Sequence, residues 1–232
     1  MSKTILVTGA NRGIGLEMVK QYAELGANVL ACCRDPDKAI ELQTLAKNIS
    51  NIKIYKLDVN DLSNIDQLAT QLSDAPIDIL INNAGVGGMD ASFGKVEYDD
   101  FLSTLKVNTI APVMIAQALL KQVLKGNDKI IVNISSVLGS IELHQDNSWG
   151  HLTYRVSKSA LNSATRAMAN KLYESKVIVL AMHPGWVQTD MGGKDAHITP
   201  EQSVKGIKNF LKSVSLENSG NFFSYEGESL PW

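Results

Sequence analysis

Short runs of aliphatic and β-branched residues alternate along this chain with longer stretches in which apolar side chains recur every three or four positions. The runs at residues 4–7, 28–33, 53–57, 77–81, 129–134, 177–182 and 221–224 read as strands. The amphipathic stretches at 13–25, 37–49, 62–72, 98–125, 153–173 and 200–212 read as helices. A continuous apolar run such as Ile130-Ile131-Val132 suits a strand buried on both faces, and right-handed helical crossovers between such strands make the sheet parallel. The pattern therefore predicts an α/β fold, a doubly wound parallel sheet of seven strands in three α-β-α layers. No linker, low-complexity tract or internal repeat interrupts the alternation, so residues 1–232 are read as one domain.

Composition narrows the partners. The 22 Lys and Arg against 24 Asp and Glu leave a formal charge of -2, which argues against nucleic acid or another polyanion as ligand. The longest apolar runs are strand-sized, short of the roughly 20 residues of a membrane helix. The opening Met-Ser-Lys runs directly into Thr4-Ile5-Leu6-Val7-Thr8 without the pattern of a secretory signal, so cytoplasmic localisation is expected. Cys32 and Cys33 are the only cysteines, and neighbours in a strand point to opposite faces, a poor geometry for a disulfide.

Directly after the first strand comes Thr8-Gly9-Ala10-Asn11-Arg12-Gly13-Ile14-Gly15, and a helix starts within it. A parallel strand feeding a glycine-rich turn and a helix N-terminus builds a site for a pyrophosphate, because free backbone N–H groups and the positive helix end converge there. The spacing, Gly-x3-Gly-x-Gly, differs from the commonest dinucleotide fingerprint. At the end of the second strand stands Arg34, which with Arg12 can bind the 2′-phosphate of NADP through charge-assisted bonds. Asp35 is either a cap ahead of Pro36 or a ligand of a ribose hydroxyl. The arginines favour NADP(H) over NAD(H).

Tyr154 and Lys158 stand four residues apart, on one face of a predicted helix. An ammonium beside a phenol stabilises phenolate, so the tyrosine pKa is expected to lie below its usual value of about 10. That pairing suits reversible proton transfer, but alone it is a weak pattern.

Its company is more specific. The sequence resembles the short-chain dehydrogenase/reductase family along essentially its whole length: Thr8 to Gly15, Asp58-Val59, Asn82-Asn83-Ala84-Gly85, Asn108, Ser135-Ser136, Tyr154 to Lys158, and Pro184-Gly185-Trp186-Val187-Gln188-Thr189 occur in the family's order. The resemblance implies a Rossmann fold and an NAD(P)-dependent oxidoreductase with Asn108, Ser136, Tyr154 and Lys158 as catalytic residues. It implies a cofactor site made of Gly9, Asn11, Arg12, Gly13, Ile14, Gly15, Arg34, Asp58, Val59, Asn83, Ala84, Gly85, Tyr154, Lys158, Pro184, Gly185, Val187 and Thr189. Within it Asp58 and Val59 meet the adenine, and Val187 and Thr189 hold the nicotinamide carboxamide. The likeness is greatest to sniffer-type carbonyl reductases and C-factor-like proteins, carried by His183 to Gly193, Tyr154-Arg155 with Lys158 to Asn162, and Gly227 to Trp232. Ser136 and Tyr154 are 18 positions apart, a longer gap than is usual in the family, and Ser135 competes for the serine role.

In chemical terms, a carbonyl substrate develops negative charge on oxygen as hydride arrives at carbon; Ser136 and Tyr154 donate to that oxygen, and Tyr154 supplies the proton. Lys158 holds the nicotinamide ribose, and Asn108 anchors a relay water. The connections 86–98, 138–153 and 192–200, with Met89, Phe93, His144, Trp149, His151, Met191 and His197, are expected to select the substrate. No histidine spacing suits a metal. The expected activity is NADPH-dependent reduction of an aldehyde or ketone. The rivals are an epimerase or dehydratase, disfavoured because only 48 residues follow Pro184, and a dinucleotide-binding signalling protein of C-factor type. A homodimer or homotetramer is expected from the family, with no membrane partner.

Overall fold

The apolar runs pair into the expected sheet in a computed structural model of the chain, which describes residues 2–89, 93–144 and 150–232. β1 (Thr4–Thr8) leads through the glycine turn into α1 (Gly13–Glu24), followed by β2 (Asn28–Cys33), α2 (Ile40–Asn48), β3 (Ile52–Lys56), α3 (Leu62–Gln71) and β4 (Ile79–Asn82). The second half runs α4 (Tyr98–Leu105), α5 (Ala111–Ala118), α6 (Leu120–Lys125), β5 (Ile130–Ile134), α7 (Leu152–Leu172), β6 (Ile178–His183), α8 (Pro200–Leu211) and β7 (Phe222–Ser224). The strand order is β3-β2-β1-β4-β5-β6-β7, and every adjacent pair is parallel. Strand order reverses between β1 and β4, and the crevice beyond the carboxyl ends of the strands at such a point is where ligands of open α/β sheets bind.

Alternation along the strands divides the core in two. Ile5, Val7, Ala31 and Cys33 pack on one side of the sheet with Met18, Val19 and Ile207, whereas Leu6, Leu30, Cys32 and Leu80 pack on the other with Ile65, Leu68 and Ile115. The two thiols are thus free, buried and on opposite faces, as strand geometry requires. No helix among the described residues is long and apolar enough to cross a membrane.

One predicted element is corrected. The stretch 98–125 is not a single helix: a wider turn with π geometry, Lys106–Ile110, separates α4 from α5, and Leu119 separates α5 from α6. Pro112 supplies the physical reason for the first break. Proline has no N–H to give the carbonyl four residues earlier, here that of Asn108. The turn widens instead, and the Ala111 amide bonds to the Lys106 carbonyl five residues back.

Candidate active site

The glycine turn is shaped by contact as well as by conformation. Gly9 has φ +64, and a Cβ there would lie 2.9 Å from Cα of Ala84; a Cβ on Gly15 would collide with the Gly9 carbonyl. Thr8 fixes β1 against β4: its hydroxyl oxygen accepts from the Asn83 and Ala84 amides, both at 3.0 Å. The Asn83 side chain donates to the carbonyls of Thr8 (2.9 Å) and Gly9 (3.2 Å), so its carboxamide braces the turn. α1 starts at Gly13 with no side chain capping it and no carboxylate in its first turn, which leaves its first amides, among them those of Gly13, Ile14 and Gly15, for an anion. A cradle that a single Cβ would fill, opening on a helix N-terminus, fits a pyrophosphate. Asn11 lies exposed on its rim.

The positions expected to read the adenosine end separate clearly. Arg34 is exposed just past β2. Asp35 pairs with Lys38 at 2.8 Å, and that bond holds its carboxyl below the usual range. Arg12 reaches across to Asp190 at 2.8 Å, an exposed ion pair joining the glycine turn to the segment after β6. Asp58 Oδ1 accepts from the Asn60 amide at 3.0 Å, and Val59 packs partly buried against the core.

Around Tyr154 the structure brings the other candidates together. Ser135 is turned away: its hydroxyl donates to Asn162 Oδ1 at 2.6 Å. Ser136 stands close enough to the Tyr154 phenol for its hydroxyl to draw the phenol's pKa down. Lys158 Nζ lies 5.6 Å from the centroid of the Tyr154 ring and donates to the Ile134 carbonyl at 2.8 Å. Asn108 Oδ1 accepts from the Val86 amide (2.9 Å), while its Nδ2 donates to the Val86 carbonyl (2.8 Å) and to Ser157 Oγ (3.0 Å). Asn108 thereby holds the strap after β4 against α7. A Cβ on Gly85 would lie 3.3 Å from Asn108 Oδ1 and 3.7 Å from Lys158 Nζ, so the strap runs directly over both.

The electrostatics differ from expectation. The phenol of Tyr154 is pushed up, not down: burial raises its pKa, and the Ser136 hydroxyl only partly opposes this. Burial acts on the lysine as well and brings the Lys158 ammonium down to about 8. The expected lowering by Lys158 does not enter: the phenol's own loss of water dominates, and Ser136 alone opposes it.

The segment after β6 closes the other wall. Ser203 Oγ donates to the buried Pro184 carbonyl at 2.5 Å, and Gly185 has φ +85 where a Cβ would run into Ile198. Val187 is buried, and Thr189 lies against the glycine turn, where a Cβ on Gly13 would be 3.2 Å from its methyl group. Trp186 is half exposed; its indole donates to the Gly192 carbonyl at 2.7 Å and meets His197 edge-on at 4.7 Å. Met89, Phe93 and Met191 are exposed. His144 Nε2 lies 2.7 Å from the Leu138 carbonyl. Trp149 lies outside the described residues, as do residues 90–92 and 145–148. Among the described residues, no three His, Cys, Asp or Glu side chains cluster as a metal site.

Sequence reasoning missed several parts of this arrangement. Thr8 and Ser157 lie inside the motifs Thr8 to Gly15 and Tyr154 to Lys158, but no role was assigned to their hydroxyls. Asn162 was detectable, being four residues after Lys158 and so on the same helical face. Asp190 had no local signal, since its partner is 178 positions away.

The chain is similar over its length to proteins of known structure. A carbonyl reductase from chicken fatty liver, solved with NADPH bound, superposes with a TM-score of 0.94 at 37% identity, covering 100% of this chain and 99% of that one. The carbonyl reductase Sniffer of D. melanogaster gives a TM-score of 0.93 at 36% identity, with both chains covered fully. The C-signal protein of Myxococcus xanthus is 38% identical over 164 residues, which span 71% of this chain and 98% of that protein. Residues 3–198 match the family model described as short chain dehydrogenase, and with the doubly wound sheet already traced this establishes that the chain belongs to the short-chain dehydrogenase/reductase family of oxidoreductases.

Proposed function

We propose that the chain reduces small or medium aldehydes and ketones with NADPH, with Tyr154 as proton donor and Ser136 as second donor to the substrate oxygen. One observation carries the reading: the Ser136 hydroxyl and the Lys158 ammonium both attend Tyr154 at the sheet end where the glycine cradle opens. When bound, a reduced nicotinamide supplies hydride to the carbonyl carbon. Ser136 and Tyr154 then stabilise the oxygen that gains charge, and the phenol releases its proton to it. Burial keeps the phenol protonated at neutral pH, as an acid requires. Lys158 spends one proton on Ile134 and keeps two N–H donors for a ribose hydroxyl and the phenol. Both amide hydrogens of Asn108 are engaged, but Pro112 deprives its backbone carbonyl of the usual helical partner. That carbonyl is the acceptor we assign to a relay water.

Arg34 and Arg12 support NADP(H) over NAD(H), in keeping with the NADPH held by the chicken carbonyl reductase. Similarity to C-signal favours a second reading, in which the bound dinucleotide serves signalling with little turnover. Loss of NADPH absorbance with a panel of carbonyl compounds separates the two. We expect turnover in the parent and a fall of about a thousandfold in Tyr154→Phe, with NADPH affinity within about twofold. Binding without turnover across the panel moves the conclusion to the signalling reading.

A further inference from the structure

Ser136 belongs to a turn that is held from two sides. It is the N-cap of a one-turn 3-10 helix, Val137–Gly139: its hydroxyl accepts from the Leu138 amide at 3.2 Å and its carbonyl from the Gly139 amide at 2.8 Å. Ser140 ends the same turn, its amide on the Val137 carbonyl at 3.0 Å, and is fully buried. A single turn of this kind makes too few internal bonds to fix its own position. From α7, Ser159 Oγ and Asn162 Nδ2 donate to the Gly139 carbonyl at 2.9 and 3.2 Å.

The second clamp comes from residues 225–232. After β7 the chain folds back, pairing Phe223 with Ser229 and placing the Leu230 amide on the Phe222 carbonyl at 2.8 Å. The Trp232 ring then stacks on Phe222, with centroids 5.8 Å apart and planes 20° from parallel, and Phe222 is fully buried. This presents the main-chain oxygen of Trp232 to the turn: it accepts from Ser140 Oγ at 3.2 Å and from the Glu142 amide at 2.9 Å. The turn in its place abuts the catalytic helix, since a Cβ on Gly139 would lie 2.8 Å from the Lys158 main chain. Movement of the turn therefore moves Ser136 relative to Lys158 and Tyr154.

We propose that Trp232 is a positioning residue: stacked on Phe222, it pins Ser140 and Glu142 through its main-chain oxygen and so holds the turn that carries Ser136 in place beside Tyr154. The kinetic consequence rests on the reductase reading; the structural one does not. In the full-length protein, Trp232→Ala speeds hydrogen exchange at the amides of residues 137–143 at least about tenfold and leaves those of β1 and α1 unchanged, while Trp232→Phe, which keeps a ring for Phe222, restores the parental rates. With NADPH and an active carbonyl substrate, Trp232→Ala lowers kcat about tenfold, with NADPH affinity within about twofold. The alkaline limb of its pH–rate profile moves to higher pH, because the phenol loses part of the Ser136 influence that draws its pKa down. In a Ser136→Ala background the same substitution costs less than about twofold, since the group it positions is gone. Unchanged exchange in Trp232→Ala, no restoration by Trp232→Phe, or a full additional loss of kcat in the Ser136→Ala background overturns the proposal. If the parent turns over no carbonyl compound, the reductase reading falls, and exchange at 137–143 alone decides whether Trp232 anchors the turn.

Discussion

Lys158 is where chemistry and folding stability conflict most directly. The residue is 5% exposed, and its pKa falls from 10.5 to about 8. The folded value lies below the unfolded one, so the unfolded chain binds more protons between about pH 8 and 10.5, and stability rises with pH across that window. Below it the full cost of burying the charge remains, of the order of 3 kcal/mol for a gap of this size. Lys158→Met keeps the stem, removes the charge and loses one hydrogen bond worth about 1 kcal/mol. At pH 7 it should melt about 5 °C above the parent, with the difference shrinking as pH rises past 8, and it should turn over no substrate. Calorimetry at pH 7 and pH 10 checks the first two outcomes. At the adenosine end, Arg34→Ala is expected to weaken NADPH at least about tenfold more than NADH by titration calorimetry; equal losses would remove Arg34 from the phosphate site. The Tyr154–Lys158 pairing was legible because helical spacing alone brings them together. The engagement of Ser135 by Asn162 was not, because strand neighbours point opposite ways and only the position of Asn162 shows which of the two serines it meets. The direction of the phenol's pKa was misread for a related reason: a nearby charge can be inferred from spacing, whereas exclusion of water cannot.

Among the elements, the glycine turn and the widened turn at Asn108 carry the most consequence. Gly15 packs so tightly that a methyl group there would collide with the Gly9 carbonyl and crowd Asn83. Gly15→Ala should therefore displace the turn, weaken NADPH at least about tenfold and lower the melting temperature by a few degrees, the cost of overpacking being about 1–3 kcal/mol. Unchanged affinity by calorimetry would mean that this turn does not carry the pyrophosphate. The glycine turn could be read locally, since its strand, glycines and helix are consecutive. The break at residues 106–110 was missed although Pro112 signals it, because the apolar periodicity of 98–125 continues through the proline and outweighed it. Its consequence, an Asn108 side chain bound to the Val86 strap, depends on where a different connection passes.

At the scale of the molecule, His183 ties stability to acid pH. It ends β6, its Nδ1 is buried without a hydrogen-bond partner among the described residues, and burial brings its pKa down from 6.5 to about 4. The unfolded chain thus binds more protons between about pH 6.5 and 4, so the stability His183 provides above that window is lost as pH falls through it, by roughly 3 kcal/mol in all. Thermal melts at pH 7, 5.5 and 4.5 should show a steeper decline for the parent than for His183→Leu; parallel curves would show that the imidazole does not titrate with folding. The sequence by itself determined the class and order of the layers, the seven strands, the cradle after β1 and the helical pairing of Tyr154 with Lys158, because each depends on periodicity or on residues a few positions apart. Only the tertiary structure decided that Ser135 turns to Asn162, that Arg12 joins Asp190, that Asn108 ties down the strap, and that Trp232 reaches the Ser136 turn. Those depend on segments brought together from far apart in the chain and on how much water their packing excludes, and neither quantity is written in local spacing.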